Sequence, residues 1–240
     1  MKASRQLALD LGHRPALERE DFFVAPSNEL AVAWIDRWPD WPARALAIYG
    51  PPGSGKTHLC QVWRRSSGAV PVDAEALAER EPPAILGEIN ACVVEGVAPV
   101  LAEAPALMER LLHLYNMVLE RGGYLLFSDR EPPARWACPL PDLHSRLAGM
   151  QAVALGEPDE VLVQAVLVKL FADRQLTVSP DIIQYMTPRI ERSLDAARRV
   201  VASIDGRALA ARRSITVPLV REVLSELITA DAEEINKGEV

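Results

Sequence analysis

The stretch IYGPPGSGKTHL, residues 48–59, decides the fold of this chain. It contains the complete spacing G-x-x-x-x-G-K-[ST], from Gly50 to Thr57, between an apolar run and an amphipathic stretch. Glycines at these positions let backbone N–H groups turn inward, forming a concave site for phosphate oxygens, and a following helix adds the positive end of its dipole. The stretch therefore predicts a strand, a phosphate-binding loop and a helix in succession.

Two side chains of this loop have roles that follow from their chemistry. Lys56 supplies a full positive charge for the outer phosphates of a nucleotide, and the hydroxyl of Thr57 is a suitable ligand for Mg²⁺. The residues predicted to bind nucleotide in this stretch are Gly50, Gly53, Ser54, Gly55, Lys56, Thr57 and His58. The expected cofactors are Mg²⁺ and either ADP or ATP.

The rest of the chain alternates short apolar runs with longer amphipathic stretches. Five runs have the length of strands: residues 45–49, 69–72, 91–94, 124–127 and 152–155. Strands that alternate with helices favour an α/β fold with a five-stranded parallel sheet covered by helices on both faces. After residue 156 only helical periodicity continues. We therefore predict a flexible tail over 1–20, a nucleotide-binding base domain over 21–156 and a small helical domain over 157–232.

Composition narrows the classes of function. The formal net charge of −7 and pI of about 5.2 disfavour strong binding to duplex DNA. The three cysteines lack Cys-x-x-Cys spacing, so neither a disulfide framework nor a zinc site is expected. No apolar run has the roughly 18 residues needed to span a bilayer, and the N-terminus has no signal-peptide core. We expect a reducing, cytoplasmic location.

Polar residues end two of the predicted strands. Glu95 follows the run 91–94 and stands where an acid associated with Mg²⁺ is expected, although it also suits the simple end of a buried strand. Gly96 has no side chain to act as a base, so binding of nucleotide is expected to exceed its hydrolysis. Asp129 follows the run 124–127 and is expected close to the γ-phosphate or its water.

Five stretches, in this order, resemble the AAA+ family. They are DFFVAPSNELAVAW, IYGPPGSGKTHL, LLFSDREPP, LHSRLAGM and RSLDAARRV. Within that family their order resembles the replication initiator DnaA, over about residues 21–230. Joined to QLALDL at residues 6–11, the pattern resembles the DnaA-related regulators of the Hda group (called HdaA in alphaproteobacteria). The resemblance implies a P-loop AAA+ domain with a helical lid. It also implies regulatory inactivation of DnaA, in which the regulator stimulates ATP hydrolysis on DnaA.

The resemblance assigns roles to further residues. Arg146 matches the arginine finger, which acts in trans on the nucleotide of a partner. Arg192 matches the sensor-2 arginine of the lid, and Asp129 matches sensor 1. The residues that match the adenine-wrapping segment are Phe23, Val24 and Asn28.

A short motif in the tail suggests a second partner. QLALDL, residues 6–11, resembles the peptides by which bacterial proteins dock on the DNA polymerase sliding clamp. Gln6 is the polar anchor, and Leu7, Leu9 and Leu11 are the apolar anchors, since peptide docking depends on a few buried side chains. The implied partners are DnaA and the clamp, with a homodimer possible through the face carrying Arg146. We expect no strong direct DNA binding, because no residues after about 230 could build the helix-turn-helix domain of DnaA.

Two other functions fit parts of the pattern. One is a helicase loader or DNA-targeting AAA+ ATPase that uses its own ATP turnover, against which Gly96 and the missing DNA-binding module count. The other is a small P-loop kinase, against which the helical domain after the sheet and the SDR sequence at 128–130 count. Rapid turnover without any partner would favour the loader.

Overall fold

A parallel sheet forms the centre of the larger domain. The computed structural model describes residues 23–101, 103–211 and 213–237, with side chains described through residue 227. The five strands are β1 (Ala45–Tyr49), β2 (Val70–Val72), β3 (Ala91–Glu95), β4 (Tyr124–Asp129) and β5 (Gln151–Ala154). Their order across the sheet is β2-β3-β4-β1-β5, and every pair is parallel. The predicted α/β class and the five-stranded parallel sheet are confirmed.

Seven helices and one 3-10 turn surround the sheet in the described part of the base domain. They are α1 (Glu29–Asp36), α2 (Lys56–Ser67), α3 (Ala74–Glu79), α4 (Pro82–Leu86), α5 (Ala98–Leu101), α6 (Pro105–Glu120), the 3-10 turn Pro133–Arg135 and α7 (Pro141–Ala148). The sheet therefore lies between two apolar layers. Leu46 and Ile48 pack on the side of α1 and α2, whereas Ala45 and Ala47 pack on the side of α6 and α7. Because both faces are covered, the strands are continuous apolar runs in the sequence.

Four strands differ slightly from the sequence prediction. β2 begins one residue later than predicted, and β3 ends one residue later, at Glu95. β4 continues through Ser128 and Asp129, because Asp129 pairs with Tyr49 and Ser128 with Glu95 in the parallel ladders. β5 begins and ends one residue earlier than predicted. The longer β4 matters for function, since it fixes Asp129 at the sheet edge where β1 enters the phosphate loop.

An aromatic cluster lies under α1 and α2. The Trp41 and Trp63 rings stack with centroids 5.2 Å apart, and Trp38 contacts Trp63 edge-on at 6.3 Å. The Trp41 Nε1 donates a hydrogen bond to the Trp34 carbonyl at 2.7 Å. These tryptophans anchor the start of β1 against the helix that follows the phosphate loop.

The lid is a bundle of four helices with its own core. They are α8 (Glu160–Asp173), α9 (Pro180–Met186), α10 (Leu194–Ala211) and α11 (Val217–Lys237). Asp159 caps α8 by accepting a hydrogen bond from the Leu162 N–H at 2.7 Å. The last helix runs past the predicted boundary at 232, because residues 231–237 are mostly good helix formers. None of the helices in the described ranges is long and apolar enough to cross a membrane.

Candidate nucleotide-binding site

The phosphate loop leaves β1 at the carboxyl edge of the sheet and turns directly into α2. Gly53 and Gly55 have φ angles of +69° and +100°, in the left-handed region that favours glycine. Gly50 lies so close to the end of β5 that a Cβ atom there would be 2.2 Å from the Leu155 carbonyl oxygen. Gly53 and Gly55 are therefore required by their backbone conformation, and Gly50 is required because the end of β5 leaves no room for a side chain.

The Lys56 ammonium group bends back over the loop. Its Nζ donates hydrogen bonds to the carbonyl oxygens of Gly50 at 2.8 Å and Pro51 at 2.7 Å. Burial lowers the pKa of Lys56, and the nearby Asp129 carboxylate opposes that effect. The cation is thus held inside the concave loop, where phosphate oxygens would meet it.

Thr57 and Glu95 come together across the site. The Thr57 hydroxyl hydrogen-bonds to the Glu95 carboxylate, while burial raises the pKa of Glu95. A hydroxyl and a carboxylate are the oxygen donors that Mg²⁺ prefers, and Mg²⁺ usually takes its remaining ligands from water and phosphate. The pair therefore fits a magnesium ion held jointly with a nucleotide. The described residues contain no cluster of three or more His, Cys, Asp or Glu side chains that would hold a metal alone.

Asp129 is buried and has two backbone donors. Its Oδ2 accepts a hydrogen bond from the Ala98 N–H at 3.0 Å, and its Oδ1 accepts one from the Arg130 N–H at 2.7 Å. The Ala98 bond ties the start of α5, just after Glu95 and Gly96, to the end of β4. The two bonds hold the Asp129 carboxylate at the carboxyl edge of the sheet, and its expected position close to a γ-phosphate or its water stays a prediction.

The lid is docked directly on the phosphate loop. The Leu194 N–H, at the start of α10, donates a hydrogen bond to the Gly53 carbonyl at 2.8 Å. Ser193 packs so tightly on Gly53 that a Cβ atom added there would be 1.9 Å from the Ser193 Oγ. Contact with the loop backbone therefore fixes the start of α10 against the phosphate loop.

A cavity of about 190 Å³ lies between the base domain and the lid. Its lining includes Phe23, Asn28 and His58 of the predicted site, whereas the 42%-exposed Val24 is not among the lining residues. The remaining lining residues come from α8 and α10: Leu162, Val166, Lys169, Leu170, Asp173, Leu194 and Arg198. This apolar slot next to the phosphate loop suits a nucleobase and ribose.

The buried Asn28 shapes one wall of the cavity. Its Oδ1 accepts a hydrogen bond from the Ala25 N–H, and its Nδ2 donates one to the Phe23 carbonyl, both at 2.9 Å. The amide therefore folds the segment 23–28 against the pocket. Asn28 holds the wall in place, and Phe23 provides its apolar surface.

The two predicted arginines lie at different places on the surface. Arg192 is exposed in the connection that leads into α10, two residues before that helix begins, next to Ser193 and outside the cavity lining. Arg146 is exposed on the last turn of α7, with its Cζ 5.5 Å from the centre of the Tyr115 ring. Gln6, Leu7, Leu9 and Leu11 lie outside the described residues.

This chain is similar to known proteins in both its sequence and its fold. A family model described as "Hda, lid domain" matches residues 160–224. The chromosomal replication initiator protein DnaA of Thermomicrobium roseum is 27% identical over 93% of this chain, which spans about half (53%) of that relative. The chain is therefore similar in sequence to DnaA over most of its length, and its helical lid is similar to the lid domain of the Hda family.

Solved DnaA structures share the fold of this chain. Domain III of Thermotoga maritima DnaA superimposes with a TM-score of 0.76 at 16% identity, covering 89% of this chain and 98% of that one. AMPPCP-bound DnaA from Aquifex aeolicus gives a TM-score of 0.62 at 17% identity, covering 77% and 63% of the two chains. The fold match includes both the base domain and the lid.

The Hda-like lid supplies site residues that the sequence pattern did not reveal. Arg198 lines the cavity and pairs with Asp195 at 3.0 Å, and Lys169 pairs with Asp173 at 3.2 Å. Oppositely charged residues three or four positions apart on a helix form ion pairs, but such pairs are common on any solvated helix surface, so the spacing alone does not indicate a binding site. Only the packing of the lid on the base domain distinguishes these pairs from ordinary surface pairs.

Proposed function

We propose that this chain binds ADP or ATP with Mg²⁺ and regulates replication initiation by stimulating ATP hydrolysis on DnaA while tethered to the sliding clamp. The complete phosphate loop, the adjacent Thr57 and Glu95 oxygens and the slot under the lid support nucleotide binding. The Hda-like lid and the DnaA-like fold support a role in the control of initiation. The partners are therefore DnaA and the clamp.

The chain's own nucleotide is proposed to act as a structural ligand. Lys56 would bind the outer phosphates, and Thr57 with Glu95 would hold Mg²⁺, which would screen the phosphate charge. Gly96, the residue after Glu95, is exposed and offers no group that could orient an attacking water. The bound nucleotide would therefore hold the base domain and lid together and turn over slowly.

Arg146 is proposed to act in trans as an arginine finger. The observation that carries this proposal is its exposed guanidinium on α7, with Leu143 and Leu147 of the same helix buried in the core. A rigid helix would thus present five N–H donors to a partner's triphosphate. In other nucleotide hydrolases such an arginine contributes about 10³ to 10⁵ in rate by stabilising charge on the transferring phosphoryl group.

The tail is proposed to bring the chain to the clamp. Gln6, Leu7, Leu9 and Leu11 would dock in a surface pocket of the clamp, which raises the effective concentration of the regulator near newly replicated DNA. The face that carries Arg146 is also the one proposed to contact DnaA or a second copy of the chain.

A reconstituted assay tests the proposal. DnaA loaded with radiolabelled ATP is incubated with clamp-loaded DNA and this chain, and conversion to ADP is followed. Arg146→Ala should bind ADP normally and lose stimulation, whereas Arg207→Ala, which removes an exposed lid arginine paired with Glu226, should retain it. Gln6→Ala combined with Leu7→Ala should abolish clamp binding. Full stimulation by Arg146→Ala would contradict the finger role.

One observation favours a second function. The Thr57–Glu95 pair can hold Mg²⁺, as a helicase loader or DNA-targeting AAA+ ATPase driven by its own turnover would require. The two functions differ in a simple measurement. The proposed regulator hydrolyses ATP slowly alone, whereas a loader would show rapid turnover in the absence of DnaA.

A further inference from the structure

The exposed Arg146 guanidinium lies beside a buried aromatic ring, that of Tyr115. Tyr115 lies on α6 and is only 7% exposed, within the same apolar layer as Leu143 and Leu147 of α7. The Arg146 Cζ lies 5.5 Å from the centre of its ring. The ring is immobilised by the core, while the arginine above it is solvated, so the ring forms a fixed platform for the guanidinium.

Such a platform restricts where the guanidinium can go. A guanidinium within about 6 Å of an aromatic centroid is attracted by the electron-rich face of the ring. A solvated arginine otherwise samples many rotamers and loses that freedom when it binds. A contact that narrows the rotamers before the partner arrives lowers this entropic cost.

The two groups also interact electrostatically. Burial raises the pKa of Tyr115, and the Arg146 cation acts in the opposite direction. Both effects follow from the geometry, since the ring is buried and the cation lies beside it.

We propose that Tyr115 is a positioning residue that holds the Arg146 guanidinium over its ring and so prepares it for insertion into the triphosphate site of a partner. This inference rests on the proposed function of Arg146. The ring would act through Arg146 alone, without touching the partner's nucleotide. Its contribution should correspond to the strength of an exposed cation–π contact, which is about two- to five-fold in rate.

The first experiment measures stimulation of DnaA's ATP hydrolysis by full-length variants. Tyr115→Phe keeps the ring and should retain stimulation within about twofold of the original chain, whereas Tyr115→Leu should lower it by about two- to five-fold. Tyr185→Leu is the matched control, because Tyr185 contacts Arg189 at 4.0 Å on the distant lid, and it should retain stimulation. Unchanged stimulation by Tyr115→Leu, or a loss in Tyr115→Phe equal to that in Tyr115→Leu, would overturn the proposal.

The second experiment needs no DnaA, so it separates this inference from the proposed function. The Nε–H resonance of Arg146 is assigned by its disappearance in Arg146→Gln. Ring currents should shift this resonance upfield in the original chain and in Tyr115→Phe, and the shift should vanish in Tyr115→Leu. An unshifted resonance in the original chain would overturn the platform even if Arg146 proves essential. A shifted resonance in a chain that fails to stimulate DnaA would instead refute the proposed function and leave the contact intact.

Discussion

Replacing Gly53 by alanine tests how strongly the lid depends on the phosphate loop. Two costs arise at this position. The first is backbone strain, because an L-residue at a φ of +69° costs about 1–2 kcal/mol. The second is a collision with the lid: the new Cβ would be 1.9 Å from the Ser193 Oγ and 2.7 Å from the Ser193 Cβ. The hydroxyl can rotate away, but the Cβ and the helix behind it cannot, so α10 must move.

The expected loss of nucleotide affinity follows from these contacts. Moving α10 sacrifices the hydrogen bond from the Leu194 N–H to the Gly53 carbonyl, worth about 1 kcal/mol, and part of the lid packing. Steric crowding of this kind typically costs about 1–3 kcal/mol of free energy. If the docked lid is what binds ADP, the same free energy corresponds to about 5- to 150-fold weaker ADP binding. Calorimetric titration with ADP and Mg²⁺ measures the affinity. Hydrogen exchange of the Leu194 amide measures undocking and should become faster.

Two further variants separate collision from strain. Gly68→Ala has the same backbone demand, a φ of +70°, with no atom within 4 Å of the added Cβ. It should lower stability and leave ADP affinity within about twofold, since strain at a distant helix end does not touch the site. Adding Ser193→Gly to Gly53→Ala removes both side-chain atoms nearest the new Cβ and should recover most of the affinity. Equal ADP affinities of Gly53→Ala and Gly68→Ala would refute the docking role.

Three other outcomes are expected. Arg198→Ala should weaken ADP binding by about 3- to 10-fold, because it removes a cation from the cavity wall. Arg207→Ala should not weaken it. Equal ADP affinities of the two variants would exclude Arg198 from the site. Glu95→Gln should melt at higher temperature than the original chain at pH 7 and at the same temperature near pH 4. Burial raises the pKa of Glu95 above its ordinary 4.5. The charged form therefore destabilises the fold increasingly as the pH rises from about 4.5 to the raised pKa. A difference in melting temperature that does not change with pH would contradict this. Purified chain should hydrolyse ATP slowly, in line with Gly96, and rapid single-component turnover would favour the loader.

The sequence predicted the base-domain sheet well because its signals are local. Apolar runs mark strands that are buried on both faces, and the runs at 45–49 and 91–94 became β1 and β3 nearly unchanged. The end of β4 was less predictable. Its last two residues are polar, and only the ladder with the neighbouring strands extends the strand through Asp129.

Some residues of the candidate site were also predictable from the sequence, and others were not. Thr57 and Glu95 were expected together, because the phosphate loop and the end of β3 must meet at the carboxyl edge of a parallel sheet. The place of Asp129 close to phosphate stays a prediction, whereas its two backbone donors, one of which ties it to the start of α5, had no signal in the sequence. The cavity-lining role of Arg198 had no sequence signal beyond an ordinary helical ion pair.

The sequence by itself determined the phosphate loop, since glycine tolerance of left-handed φ and the Lys-Thr pair at its end are properties of neighbouring residues. It also predicted where the helical lid begins, and its resemblance to a known family made Arg146 the candidate finger. Tertiary structure alone decided that the Leu194 amide meets the Gly53 carbonyl and that Arg146 lies over Tyr115. These contacts join segments that are far apart in the chain, so they depend on how whole helices pack, which no local pattern encodes.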